Sequence, residues 1–473
     1  MRKSVYFILL LLLVGLVGCT NDDNDVSQQE IAVNFSNSEQ SIDQSDASRE
    51  VTVTLSRKAE VAIDVAISVS GSDLVYGTDY TTDVAVNNGV LTLTVPAGTT
   101  SASFLVTKGS DALFDGDESL QFSIASLSVS NGVVIGEKKH SSLLFGTILS
   151  SGETLTLEGK SGSVAYANSV YVDFSNNNQS VIDRTSWALG FSSGSDFRVV
   201  LNPAYGTTAA ASNKTELADV TLDDANNAIN LAASIVTGEA LSSTVVDSYN
   251  GALSGTVFAE VSATDSENKV YFVATEDDKS SRDHWYKVKV TRSVDGYKVQ
   301  YGKVTDTTFK TIDVKKNSAY NLSFLSLKNN SVVNVEPQAK KWDIMWSYYV
   351  GPTYLSATVI MPYFMQDVVL INNLAGAQAV EVMVSAISYE NFNTTNLASL
   401  TFSSDRNVIG SSWRSIPSGA PSGGATTGGV YADRFYVVKD PNGNYYKLRF
   451  LKMGLNNDGT ERGRPVIQYA LVK

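Results

Sequence analysis

Residues 432–473 read ADRFYVVKDPNGNYYKLRFLKMGLNNDGTERGRPVIQYALVK. A run rich in β-branched and aromatic residues meets Pro441-Asn442-Gly443, and the chain then resumes as Tyr445-Tyr446-Lys447-Leu448-Arg449-Phe450. The reading is strand, turn, strand, because Val, Tyr and Phe suit a pleated surface while Pro, Asn and Gly supply turn geometry. The rest of the 473 residues agrees, with 22 Tyr, 18 Phe, 34 Gly and no long stretch of helical period. The expected fold class is all-β, and the length divides it into two or three domains.

Working back along the chain, two segments echo each other: WALGFSSGSDFRVVLN from Trp187 and WDIMWSYYV from Trp342. Alternation places Trp187, Leu189 and Phe191 on one strand face, and likewise Trp342, Ile344 and Trp346. From Ile31 to about Leu149 shorter alternating runs such as VTVTLS, VAIDVAISVS and GVLTLTVPAG are separated by Gly, Asn, Asp and Ser. They read as a β-sandwich of the immunoglobulin-like kind. SSGETLTLEGKSGS reads as a linker between the two regions.

The first residues carry a different signal. Arg2 and Lys3 precede an apolar run from Val5 to Val14, which ends on Leu16-Val17-Gly18-Cys19. This is a secretory leader, too short and too early for a retained membrane span. Its ending resembles a bacterial lipobox, which makes Cys19 the lipidation site, and the acidic TNDDNDVSQQE that follows reads as a tether displaying the protein outside the outer membrane. Cys19 is the only cysteine, so no disulfide, cysteine zinc site or thiol nucleophile is expected. Without Arg2 and Lys3 the chain keeps 34 basic against 49 acidic side chains, near −15. That balance excludes nucleic acid and anionic head groups as partners and leaves the lipid as the only hold on a membrane. The expected organisation is a leader over 1–19, a tether over 20–29, a sandwich over 30–150, a linker over 151–163 and a second β domain over 164–473.

Two family resemblances sharpen this. YGTDYT (Tyr76 to Thr81), VPAGTTSASFLV and LFDGDESLQFSI resemble, in order, the hallmarks of Calx-beta domains. Some of those bind calcium, and the ligands this copy offers are Asp79, Asp115, Asp117 and Glu118. Calcium takes six to eight oxygens, so four carboxylates read as soluble strand connections and the domain as a spacer. RTSWALGFSSGSDFRVVLN, YKVKVTR, KKWDIMWSYYV, YFMQDVVLINN and the C-terminal stretch quoted above resemble the HmuY family of haem-binding surface lipoproteins. That resemblance implies an all-β fold and haem held between two side chains, histidines in some members and methionines in others. Ala188 departs from the acid that usually follows the first Trp, whereas Asp343 keeps it in the second copy.

This chain has only His140, in the sandwich, and His284, in a charged turn, so a histidine pair of the family's kind is not expected. Thioethers remain, and iron accepts them axially. The candidates are Met361 and Met365, within ATVIMPYFMQDVVLINN (357–373), together with Met345, Met383 and the phenol of Tyr431. Trp342, Trp346 and Tyr363 are the candidate aromatic platform for a flat ligand. The loop from Ser415 to Arg434, rich in Gly, Ser and Thr, is a candidate binding loop. Catalysis is not expected: no His-Glu-x-x-His, phosphate loop, cysteine nucleophile or serine elbow is foreseen. The expected function is a surface-anchored, non-catalytic lipoprotein that takes haem or a related tetrapyrrole and passes it to a TonB-dependent outer-membrane transporter. The alternative is a glycan-binding or adhesion protein that keeps the fold without iron ligands.

Overall fold

The computed structural model describes residues 30–72, 74–233, 239–354, 360–416 and 428–473. Cys19, the leader and the tether lie outside the described residues, as does the middle of the Ser415–Arg434 loop. The chain forms two compact units, one reaching to Thr147 and the other running from Ile148 to Lys473, with Leu113–Asp115 joined to the second. Apart from one short α-helix, Leu222–Asn226, and brief 3-10 turns, the described residues are strands and their connections.

The first unit contains β1 (Ile31–Phe35), β2 (Glu39–Ile42), β3 (Ser48–Leu55), β4 (Ile63–Ser72), β5 (Tyr80–Thr82), β6 (Val86–Asn87), β7 (Val90–Val95), β8 (Ser101–Lys108), β9 (Ser119–Leu127), β10 (Val133–Ile135) and β11 (His140–Phe145). They make two sheets, ordered β10-β1-β3-β8-β5 and β2-β11-β9-β4-β7-β6. Period-two burial in β3, β4 and β7 sends Val51, Val53, Ile63, Val65, Leu91 and Leu93 inward. Phe104 of one sheet meets Phe122 of the other edge-on at 5.4 Å. The expected sandwich is present.

The second unit is an internal duplication. Its first repeat comprises β12 (Gly152–Thr156), β13 (Asn168–Asp173), β14 (Asn178–Asp183), β15 (Leu189–Ser192), β16 (Val199–Leu201), β17 (Thr208–Ala211), β18 (Val270–Ala274), β19 (Tyr286–Ser293) and β20 (Gly296–Lys303). The second comprises β21 (Lys310–Lys315), β22 (Leu322–Ser326), β23 (Ser331–Val333), β24 (Ile344–Tyr354), β25 (Ile360–Ile371), β26 (Gln378–Met383), β29 (Arg434–Lys439), β30 (Tyr445–Lys452) and β31 (Val466–Leu471), with a small ribbon, β27 (Arg414–Ser415) and β28 (Gly429–Val430), that has no counterpart. Each repeat lends its three opening strands to the other. Thus the five-stranded sheets run β21-β20-β19-β18-β17 and β12-β31-β30-β29-β26, and the four-stranded sheets β23-β22-β15-β16 and β14-β13-β24-β25. The stretch expected as a linker therefore holds a strand. Gly152–Thr156 pairs in register with Val466–Ala470, and the alternating Leu155 and Leu157 turn toward the core.

One capping motif recurs in both repeats. After β16, Asn202 donates to the carbonyls of Arg184 and Trp187, both at 2.9 Å, and caps a 3-10 turn that ends on Gly206 in the left-handed region. After β25, Asn372 donates to the carbonyls of Ala339 and Trp342, at 2.7 and 2.8 Å, and caps a turn ending on Gly376 in the same conformation. Both glycines have positive φ, where a β-carbon is strained. Trp187 and Trp342 then meet Phe324 and Tyr171 edge-on, at 4.8 and 5.0 Å, in one central apolar cluster shared by the repeats. Leu189 and Phe191 point the other way into the first repeat's core, and Ile344 and Trp346 into the second's.

Candidate ligand-binding hairpin

The duplication shows what the second repeat adds. β15 and β16 have 4 and 3 residues, whereas β24 and β25 have 11 and 12. The extra length starts at a bulge: Ser347 pairs with Val368 and Tyr349 with Met365, so Tyr348 faces both Gln366 and Asp367. Asp367 takes a φ of 58°, and its carbonyl accepts the Trp413 indole N–H at 3.1 Å. Arg414 donates to the Gln366 carbonyl at 2.6 Å. Burial pushes the Asp367 carboxyl up to about 6, while Arg414 and the Tyr166 hydroxyl, which donates to it at 3.2 Å, hold it lower than burial alone would.

Beyond the bulge the pairing is regular, so the hairpin has two distinct faces. Val350 and Phe364 turn to one side, where Phe364 stacks on Tyr348 at 4.6 Å and the Arg184 guanidinium lies 4.5 Å over Tyr348. Tyr349, Gly351 and Thr353 face the other side with their partners Met365, Tyr363 and Met361. Gly351 is buried beneath the Met365 and Tyr349 side chains, and its partner Tyr363 is 41% exposed. Met365 is half-buried, and a β-carbon on Gly351 would stand 3.3 Å from its methyl and 3.8 Å from its sulfur. Pro362 lies on β25, the sheet's edge strand, as a residue without an N–H requires, and pairs with Pro352.

The sequence candidates divide on this geometry. Met361 is 3% exposed, and Met365 stands four residues away, about 13 Å along a strand. Burial withdraws Met361 and leaves the half-buried Met365 as the thioether of this face. Met345 is buried in the central cluster against Tyr171, Trp342 and Tyr349. Met383 and Tyr431 are exposed and share a neighbour in Arg434, which pairs with Met383 across the ladder and lies 4.6 Å over the Tyr431 ring. Trp342, Trp346 and Tyr363 do not form a platform. Trp342 sits in the central cluster, Trp346 is wholly buried in the second repeat's core against the bare backbone of Gly159, and Tyr363 is exposed on the hairpin. The expected common face fails because Trp342 precedes β24, and Asp343, tied by its N–H to Val172, turns the chain before alternation begins.

The cavity at the centre of the second unit is too small for a tetrapyrrole. A cavity of about 70 Å³ beside Met345, walled by Asp247, Glu336 and Arg406, compares with roughly 300–1,000 Å³ for sites of drug-sized ligands. The hairpin face beyond the bulge offers an exposed phenol ring at Tyr363 and a half-buried thioether at Met365. Sequence reasoning passed over Gly351 and the Asp367 bulge; the Trp echo was the signal that could have exposed the extra hairpin length.

The remaining candidates are placed as follows. His140 lies on β11 in the first unit, and His284 in a 3-10 turn where Nδ1 meets Ser280 Oγ at 2.9 Å. Asp115, Asp117 and Glu118 bring ligand oxygens within 4.8 Å of one another, three side chains against the six to eight oxygens of calcium. Asp79 is not among them and accepts the Val75 N–H at 2.7 Å. One spacing not foreseen, Gly190-Phe191-Ser192-Ser193-Gly194, matches Gly-x-Ser-x-Gly, but Ser192 is buried at the end of β15 and strand β16 follows in place of a helix, so it is not a nucleophile elbow.

The profile of the family described as HmuY protein matches residues 165–469, which is 305 of the 473 residues. No curated protein matches the chain. Among solved structures, the apo-form Calx CBD1 domain is similar at 18% identity, covering 25% of this chain and 96% of that domain with a TM-score of 0.21. A two-domain protein of unknown function from Bacteroides fragilis NCTC 9343 is similar at 9% identity, covering 41% of this chain and 73% of its own, with a TM-score of 0.19.

Proposed function

The chain belongs to the HmuY family, and from that premise we propose that it captures haem or a related tetrapyrrole on the β24–β25 hairpin, without catalysis. The observation that carries this reading is the hairpin itself, the largest strand extension that one repeat has and the other lacks, bearing Met361, Tyr363 and Met365 on one face. When bound, haem supplies an iron that accepts a thioether axially, which raises its reduction potential. Met365 is the thioether we assign to it, with Tyr363 against the macrocycle. Tyr431 and Met383, exposed beside Arg434, are the candidates for the opposite position. Lipidation of Cys19 and display at the cell surface complete the proposal, with delivery to a TonB-dependent outer-membrane transporter. The glycan-binding alternative rests on the missing histidine pair beside an aromatic segment, and of its candidate platform Trp342 and Trp346 are buried while Tyr363 is exposed. The test is a titration of the soluble chain, lacking residues 1–25, with haemin. A shifted and saturable Soret band is expected; a spectrum equal to free haemin plus protein, in both redox states, refutes the proposal.

A further inference from the structure

Because the repeats match strand for strand, each half is a template for the other. In the second repeat Trp342 is followed by Asp343, whose N–H donates to the Val172 carbonyl and whose carboxyl, pushed well up by burial and by Asp173 and Asp440, accepts the Phe174 N–H at 2.7 Å. In the first repeat the same backbone bond is kept, from Ala188 N–H to the Leu325 carbonyl at 2.9 Å, but the residue after Trp187 has no carboxylate. Leu327 stands where Phe174 stands, two residues past the acceptor, and is 1% exposed. No described residue accepts a hydrogen bond from its N–H. A buried N–H without an acceptor costs free energy until something supplies one.

A cavity of about 210 Å³ opens at this point, lined by Trp187, Ala188, Leu327, Ser326, Thr275 and Tyr286 among others. Tyr286 is the counterpart of Tyr446, since each pairs with the matching strand residue, Val273 or Val438. The acids at the rim are neutralised: Asp277 by Lys328 at 3.1 Å and Asp278 by Lys303 at 2.7 Å. The volume suits a short carboxylic acid and not a whole tetrapyrrole.

We propose that this cavity binds the carboxylate of a small ligand, placed where the second repeat places its own Asp343 carboxylate and accepting the Leu327 N–H. The inference does not rest on haem capture. The test follows the Leu327 amide in the full-length protein in detergent, labelled with ¹⁵N-leucine. Titration with propionate is expected to shift that amide saturably, whereas propionamide leaves it in place. Ala188→Asp supplies the carboxylate covalently and is expected to put the amide at its shifted position and abolish the propionate response. Zinc protoporphyrin carries the same group on a diamagnetic tetrapyrrole; an amide that follows it and not free propionate keeps the carboxylate site and assigns its source to the tetrapyrrole. A Leu327 amide unmoved by both, or moved equally by propionamide, overturns the proposal. The wild-type titrations decide it even if Ala188→Asp does not fold.

Discussion

Replacing Asn202 or Asn372 by Ala tests the duplicated framework on which the hairpin stands. Each asparagine is at most 1% exposed, and each donates to two carbonyls at 2.7–2.9 Å. Asn202 also accepts from Ala204 and Tyr205 N–H at 2.9 and 3.2 Å, and Asn372 from Asn321 Nδ2 at 3.0 Å. Truncation orphans one buried and one part-buried carbonyl in either case, at about 1–3 kcal/mol each. A loss of about 3–5 kcal/mol is expected for both variants, and Asn→Asp is expected to approach it because a carboxylate keeps the acceptor and loses the donor. Asn227→Ala is the control: that side chain is exposed with one bond to the Asp223 carbonyl at 2.9 Å, and surface changes of this kind stay within about 0.5 kcal/mol. Urea unfolding of the soluble chain, followed by tryptophan fluorescence, measures all of them. A cost below about 1 kcal/mol at either asparagine would show that the recurring cap does not hold the two repeats and would refute the reasoning.

Three further outcomes are expected. Met361→Ala should cost about 2–5 kcal/mol in the same assay, as for a buried methionine, while Met365→Ala should cost clearly less and alter the haem spectrum; equal losses with an unchanged spectrum would make both core filler. Burial pushes Glu336 up to about 7 against the pull of the Leu322 N–H, so the group stabilises the fold below its unfolded value near 4.3 and that contribution disappears as pH rises through 7. Stability should therefore fall between pH 4 and 8 by up to about 3 kcal/mol from this group, and Glu336→Gln should flatten the profile; a variant with the wild-type slope contradicts the assignment. Cys19→Ser should abolish lipidation, read as a lost diacyl mass and altered membrane fractionation.

Much of the fold was legible because strand chemistry is local. The alternation of Val51, Val53 and Leu55 predicts one buried face, and the first unit shows it. The Pro441-Asn442-Gly443 turn links β29 and β30 as the sequence reads. The duplication was legible only as the Trp187 and Trp342 echo, because the repeats exchange their opening strands and the contacts that reveal the match join residues far apart, such as Gly152 with Ala470. For the same reason Gly152–Thr156 looks like a linker until β31 is beside it. The site was legible as a region and not as a surface. Period two assigns a side chain to a face, but both faces of the β14-β13-β24-β25 sheet are covered, so Trp346 and Met345 are buried on opposite sides. The exposure of Tyr363 and the half-burial of Met365 come from hairpin length, which only the comparison with β15 and β16 makes visible.

The central claim is that this chain holds a tetrapyrrole through a thioether of the extended hairpin. Iron K-edge X-ray absorption on the haemin-loaded soluble chain tests it most directly. A sulfur scatterer in the first coordination shell, present in the wild type and lost in Met365→Ala, is the predicted result. A shell of nitrogen and oxygen alone in the wild type, or a sulfur signal that survives Met365→Ala, would contradict it.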